Sequence, residues 1–308
     1  MENLTVTASP HERGNASTAK IMTDVIIALI PALLMAGFIF GGRALMITGF
    51  CMICAMALER ICNLVMKREN SVGDLSAAVT GMLLAFNLPV TISYWQAFLG
   101  VFIAIVIVKQ LFGGLGHNFA NPAIVGRIVL MLSFPAAMTN WAVPFYDSKA
   151  IETGATPLAV SGFTYQELFL GNIGGCIGEI SKAALLIGAL YLIARGVITP
   201  AAPIAFIGTV FCFSTFTGHD GLYQILSGGL FLGAFFMATD YVTTPITFLG
   251  KAIFGLGCGI ITCLIRFYAS YPEGVSFSIL IMNIVTPIID MLTIRVTPLA
   301  KKTTKEEA

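Results

Sequence analysis

The sequence predicts an all-α integral membrane protein of about ten transmembrane helices, in two inverted five-helix repeats with broken helices. Three observations predict it. Of 308 residues, 57% are hydrophobic and only 11% are charged, with a mean hydropathy of +0.88. Soluble domains carry about 25% charged residues, so this chain cannot cover its surface in water. Apolar runs of about 20 residues recur, and the alternating short segments of a membrane β-barrel do not. Finally, one polar stretch, Asp147 to Tyr165, divides the runs five and five. An odd number of spans per half inverts any repeat in the membrane.

The runs fall at 21–40, 44–65, 74–92, 95–112, 121–138, 175–195, 200–217, 222–240, 250–269 and 274–293. Asn87-Leu88-Pro89 interrupts the third early. Self-similarity supports the repeat: Thr80-Gly81-Met82-Leu83-Leu84-Ala85-Phe86 echoes Ser227-Gly228-Gly229-Leu230-Phe231-Leu232-Gly233-Ala234-Phe235. Gly116-His117-Asn118-Phe119-Ala120-Asn121 echoes Gly274-Val275-Ser276-Phe277-Ser278-Ile279. Close helix packing also selects such glycines. If the repeat holds, spans three and eight are broken helices whose ends meet inside the membrane, where a transport site lies. The organisation is then 1–138, an N-terminal tail and first repeat; 139–174, an outer loop; and 175–308, a second repeat with a cytoplasmic tail.

Lysine and arginine set the orientation. With the N-terminus cytoplasmic, 12 of the 17 basic residues lie inside, among them Arg13, Arg60, Lys67, Lys109, Arg195, Lys251 and Lys301. Arg43, Lys149 and Arg266 then lie outside, and Arg127 and Lys182 fall within spans. The positive-inside rule therefore puts both termini in the cytoplasm and the central loop outside. The first 20 residues contain Glu2, His11, Glu12, Arg13 and Lys20 and no apolar core, so they do not read as a cleavable signal peptide. The net charge of +1 and the lack of a basic cluster give no reason to expect nucleic acid.

Thr153-Gly154-Ala155-Thr156-Pro157 stands in the central loop. It offers an exposed hydroxyl between small neighbours, where a bulky group can approach and be esterified. An inert loop threonine is the alternative. Asp240, in Met237-Ala238-Thr239-Asp240 at the inner end of span eight, is the foremost ion-path candidate, with Asp74 second. A helix-end aspartate at the headgroups is the alternative for both, and for Asp24, Glu59 and Asp290. Glu179 and Lys182, three apart on one helix face, can bridge. Arg127 can bind a phosphate or carboxylate, or snorkel. His117, beside a glycine turn, is a relay or a cap. Cys51 and Cys54 have metal-site spacing but sit mid-span, where cysteine is a common filler. No dinucleotide fingerprint, P-loop or ferredoxin-type cysteine run is present, so NAD and iron–sulfur sites are expected on partners. No catalytic residue and no metal site are expected on this chain.

The TGAT stretch resembles the [S/T]GAT flavinylation motif of a family of membrane flavoproteins. That family includes RnfD, from the Rnf ion-translocating ferredoxin:NAD oxidoreductase, and its counterpart in the sodium-translocating NADH:quinone reductase. The likeness extends from Ser9-Pro10-His11 and Ala28-Leu29-Ile30-Pro31 through Gly113-Gly114-Leu115-Gly116-His117-Asn118 and Asn121-Pro122-Ala123-Ile124-Val125-Gly126-Arg127. It continues to Met237-Ala238-Thr239-Asp240 and Pro272-Glu273-Gly274-Val275, so it covers about residues 9–293. The missing long N-terminal extension favours the Rnf branch. The resemblance implies FMN joined through its phosphate to Thr156 by a flavin transferase on the outer face. Thr153, Gly154 and Ala155 would complete the motif, with Thr in place of the usual Ser at the first position, and Arg127 would be a further flavin-binding candidate. Asp147 and Glu152 would aid the transferase or be a solvated loop face. It also implies a second, noncovalent riboflavin or flavin near the Thr80–Pro89 region. The partners would be the A, B, C, E and G components of the Rnf complex in the cell membrane of a prokaryote, passing electrons from ferredoxin to NAD⁺ while Na⁺ or H⁺ moves outward. A solute channel of inverted-repeat architecture is the rival reading, and it has no use for the TGAT motif.

Overall fold

The computed structural model describes residues 17–145, 153–154, 156–158, 162–269 and 273–294. The regular structure of the described residues is almost wholly helical. Helix α1 runs Thr18–Phe40 and α2 Gly42–Val65, joined at Gly41, whose φ of 72° lets the chain reverse within one residue. A turn at Val72–Asp74 leads into α3, Ser76–Phe86. Next come α4, Tyr94–Phe102, which widens into a π-helical stretch at Ile103–Gln110, then α5, Pro122–Ser133, and the short α6, Pro135–Met138. Strands β1, Trp141–Ala142, and β2, Thr153–Gly154, pair antiparallel, with Trp141 opposite Gly154 and Ala142 opposite Thr153. The second half comprises α7, Tyr165–Leu170; α8, Lys182–Ala194; α9, Ala201–Phe216; and α10, Gly221–Leu226. It ends with α11, Leu230–Leu232, widening at Gly233–Met237; α12, Phe248–Tyr268; and α13, Val275–Thr293.

Among the described residues, four helices, α1, α2, α12 and α13, are long and apolar enough to cross a membrane. Five shorter apolar helices pack among them. Large apolar side chains such as Leu34, Phe38, Leu64 and Ile204 point outward, as a lipid-facing surface requires. Small residues let the helices approach. A Cβ at Gly188 on α8 would lie 2.0 Å from the Ala28 carbonyl oxygen of α1. Gly188→Ala is therefore expected to cost about 1–3 kcal/mol by overpacking. A lower midpoint of thermal unfolding in detergent would register it.

The structure places the breaks expected in the third and eighth spans and corrects the start of the sixth. The third ends at Phe86, where Asn87 closes α3 well short of residue 92. The eighth breaks at Ser227-Gly228-Gly229, between α10 and α11. The sixth begins at Lys182 rather than 175. Residues 176–178 form a buried turn against the end of α3, opened by a single β-bridge between Cys176 and Pro89. The Ile177 and Gly178 N–H groups donate to the carbonyls of Leu88 (3.0 Å) and Phe86 (2.9 Å). A helix that stops inside a membrane leaves carbonyls that must find donors. The buried turn supplies them, and its apolar composition imitates a helix. Gly178 is needed there, since a Cβ would lie 2.3 Å from Phe86.

Candidate functional site

Two features of the sequence, the ends of the interrupted helices and the Thr156 segment, come close together. Where α3 stops, Asn87 donates to Leu83 O (2.7 Å), while its Oδ1 accepts from Arg127 Nη1 (2.7 Å). Arg127, on α5, is 2% exposed. It also donates to Ser276 Oγ on α13 (3.1 Å), approaches Cys176 Sγ (3.6 Å) and pairs with Glu273. Of the sequence alternatives for Arg127, its partner is a carboxylate, and it does not snorkel. Glu179 sits beside it, in the same buried turn. Its Oε1 accepts the Cys176 N–H at 3.0 Å. The expected Glu179–Lys182 bridge along a helix face is not formed, because Glu179 precedes α8. The Lys182 ammonium donates instead to the Glu179 and Ile180 carbonyls, at 2.8 and 3.4 Å.

Above this cluster lies the break in span eight. Arg266, from α12, donates to the carbonyls of Gln224 (2.7 Å) and Ser227 (3.1 Å), the acceptors freed at the end of α10. Leu158 packs against Gly228: a Cβ there would lie 2.8 Å from Leu158 Cδ1. The Tyr223 hydroxyl donates to the Pro157 carbonyl at 3.0 Å. These contacts tuck Thr156 in. It is 3% exposed, contrary to the exposed hydroxyl expected, and its Oγ1 has no hydrogen-bond partner among the described residues. Thr153 and Gly154 form β2. Ala155, Asp147 and Glu152 lie outside the described residues. Beside Pro157 a cleft is lined by Tyr165, His219, Asp220 and Tyr223. The Tyr165 hydroxyl donates to Asp220 and holds its carboxyl below the usual carboxylate range, helped by the Tyr223 and Leu222 N–H groups. His219 stacks on Phe267 at 4.3 Å between ring centres.

A second polar cluster lies at the opposite end of the bundle. Glu59 and Lys109, each 1% exposed, pair at 2.7 Å. Lys109 also donates to Ser76 Oγ (2.6 Å), and Glu59 accepts from Gln110 (3.0 Å) and Ser71 (3.1 Å). The sequence counts Lys109 among the inner positive charges and sets Glu59 near an inner span end; in the structure both are buried partners. Asp74 accepts the Ser76 N–H at 2.7 Å and so caps the start of α3. Asp240 accepts from the Thr243 hydroxyl at 3.2 Å and lines one cavity with Ser76, Thr80 and Lys109. The remaining acidic span ends are held structurally, Asp24 by Tyr191 and Arg195, and Asp290 by the Ile246 N–H. His117 lies against Gly113 in a turn. Cys51 and Cys54 are free, and among the described residues Cys176 is the cysteine that clusters with two carboxylates, those of Glu179 and Glu273.

The model of the NQR2, RnfD, RnfE family matches residues 5–297, nearly the whole chain. The chain belongs to that family. It is 48% identical over 302 residues, 94% of each chain, to the D component of the Na(+)-translocating ferredoxin:NAD(+) oxidoreductase complex of Acetobacterium woodii. It is 42% identical, again over 94% of each chain, to the D component of the proton-translocating ferredoxin:NAD(+) oxidoreductase complex of Clostridium ljungdahlii. The D component of an ion-translocating oxidoreductase complex of Stutzerimonas stutzeri is 33% identical, over 89% of this chain and 90% of its own. The Arg127, Glu179 and Glu273 cluster is the part of the site that the sequence pattern does not display, because Glu273 lies 146 residues from Arg127 and only the fold brings them together.

Proposed function

We propose that this chain is the membrane flavoprotein of an ion-translocating ferredoxin:NAD⁺ oxidoreductase complex, with FMN held as a phosphoester on Thr156. The Thr156 hydroxyl carries the reading. It stands in TGAT, is more than nine-tenths buried and has no partner among the described residues. A buried hydroxyl left unbonded is costly, and esterification removes that cost. Thr156, with Thr153, Gly154 and Ala155 around it, would hold the group. The flavin, once attached, supplies one- and two-electron redox chemistry, and the protein positions and tunes it. Tyr223 fixes the backbone beside the attachment point through the Pro157 carbonyl. The Leu158–Gly228 contact would have to loosen for a flavin transferase to reach the hydroxyl.

The relatives' names support membership of a multi-component complex. Within the proposal the partners are the A, B, C, E and G components, in the cell membrane of a prokaryote. The relatives' names carry Na⁺ in one case and protons in another, so the cation here is one of these two. The interrupted helices at Phe86 and Ser227 are what two inverted halves with broken spans would contain, and the distribution of lysine and arginine favours cytoplasmic termini with Thr156 outside. Asp240 and Asp74 would serve the inner end of the ion path, near the cavity shared with Ser76 and Lys109. A noncovalent flavin would find an apolar lining there from Val79, Leu83 and Phe236. The test is turnover: in the assembled complex, Thr156→Val should lower ferredoxin-dependent NAD⁺ reduction about tenfold or more. Wild-type turnover in that variant would reduce the chain to an anchor for soluble partners.

A further inference from the structure

We propose that Glu179 and Glu273 form a carboxylate site for one monovalent cation in the translocation path, beside the break in span eight against which the Thr156 segment packs. This rests on the proposed function and names the site within it.

Both carboxylates are at least nine-tenths buried, at 2% and 4% exposure. Each has one satisfied oxygen: Glu179 Oε1 by the Cys176 N–H, and Glu273 Oε2 by Arg127. The other oxygens, Glu179 Oε2 and Glu273 Oε1, have no hydrogen-bond partner among the described residues. One ligand atom from each of Cys176, Glu179 and Glu273 lies within 4.8 Å of the others, close enough to share one ion or proton. Lys182 does not fill the role, because its ammonium is turned to main-chain carbonyls. A buried carboxylate oxygen without a donor calls for a proton or a metal cation. The facing groups limit the charge. Arg127 and Lys182 balance the two glutamates, with Arg266 nearby, so one added unit charge is tolerable and a divalent ion is disfavoured.

The break in span eight keeps this site open and ties it to the outer segment. A Cβ at Gly229 would lie 2.6 Å from Glu179 Oε2, so glycine leaves the space before that oxygen clear. Its neighbour Gly228, at φ +65°, faces the other way, against Leu158, two residues from Thr156. A shift of the Thr156 segment therefore bears on the backbone that covers Glu179. Coupling needs such an element, one whose position both sites bias.

The experiment uses everted vesicles carrying the complete complex, driven with reduced ferredoxin. Radioactive sodium uptake and interior acidification, followed with a pH-indicating dye, are each divided by the NADH formed. Glu179→Gln keeps the side-chain volume and an acceptor for the Cys176 N–H but removes the charge. It should lower cations moved per NADH about tenfold or more, with Glu179→Asp retaining part of the ratio. A wild-type ratio in both Glu179→Gln and Glu273→Gln overturns the proposal. Should either variant fail to assemble, the wild-type complex is treated with dicyclohexylcarbodiimide, which modifies buried protonated carboxyls. An adduct on Glu179 or Glu273, suppressed by added Na⁺ or by raised pH, supports the site; an adduct on neither overturns it. A wild-type complex that moves no ions contradicts the proposed function, not this site.

Discussion

Arg127→Met is expected to destabilise the folded chain by about 3–5 kcal/mol, the usual cost of removing one partner from a buried ion pair. Methionine fills most of the volume, so the loss is electrostatic. It strands Glu273 without its cation and leaves Asn87 Oδ1 and Ser276 Oγ without the guanidinium donor. Those residues sit on α5, α13 and the end of α3, so one substitution loosens three elements from both halves. A thiol-reactive fluorophore gives the readout, since Cys51, Cys62, Cys176, Cys258 and Cys263 are free and buried and become reactive on unfolding. The double variant Arg127→Met/Glu273→Gln should recover much of the loss. If the double variant is no more stable than the single, the ion pair is not what holds the junction.

Lys109→Met should have an effect of the same order, about 3–5 kcal/mol, at the opposite end of the bundle. Lys109 is the only cation within salt-bridge reach of Glu59 among the described residues, and Glu59 Oε2 already lacks a partner. Ser71 and Gln110 would still donate to Oε1, but neither carries charge. Lys109→Met/Glu59→Gln removes both charges and should return most of the stability. The same thermal unfolding assay decides it. Lys109→Arg should not rescue well, because a guanidinium is larger than the space at a residue 1% exposed.

The long helices were legible because α1, α2, α12 and α13 are continuous apolar runs bounded by polar or glycine breaks. The interruption near Asn87-Leu88-Pro89 was visible for the same reason. Residues 175–181 were not. Cys176, Ile177 and Ile180 read as the start of a span, and composition cannot tell a buried apolar turn inside protein from a helix inside lipid. The charge clusters were hidden by sequence distance. Lys109 follows an apolar run, as a cytoplasmic end does, and only the fold brings it to Glu59, about fifty residues earlier. The Thr156 motif was plain in the sequence, but the burial of its hydroxyl depends on Tyr223 and Gly228, which belong to another part of the chain.

The most direct test of the account is a denaturing gel under ultraviolet light. The chain is expressed with its flavin transferase as wild type, Thr156→Val and Thr153→Val. The account predicts a fluorescent band at this chain's mass in wild type and Thr153→Val and a dark one in Thr156→Val. A dark wild-type band, with the transferase active on another acceptor, or fluorescence that survives Thr156→Val, would contradict it.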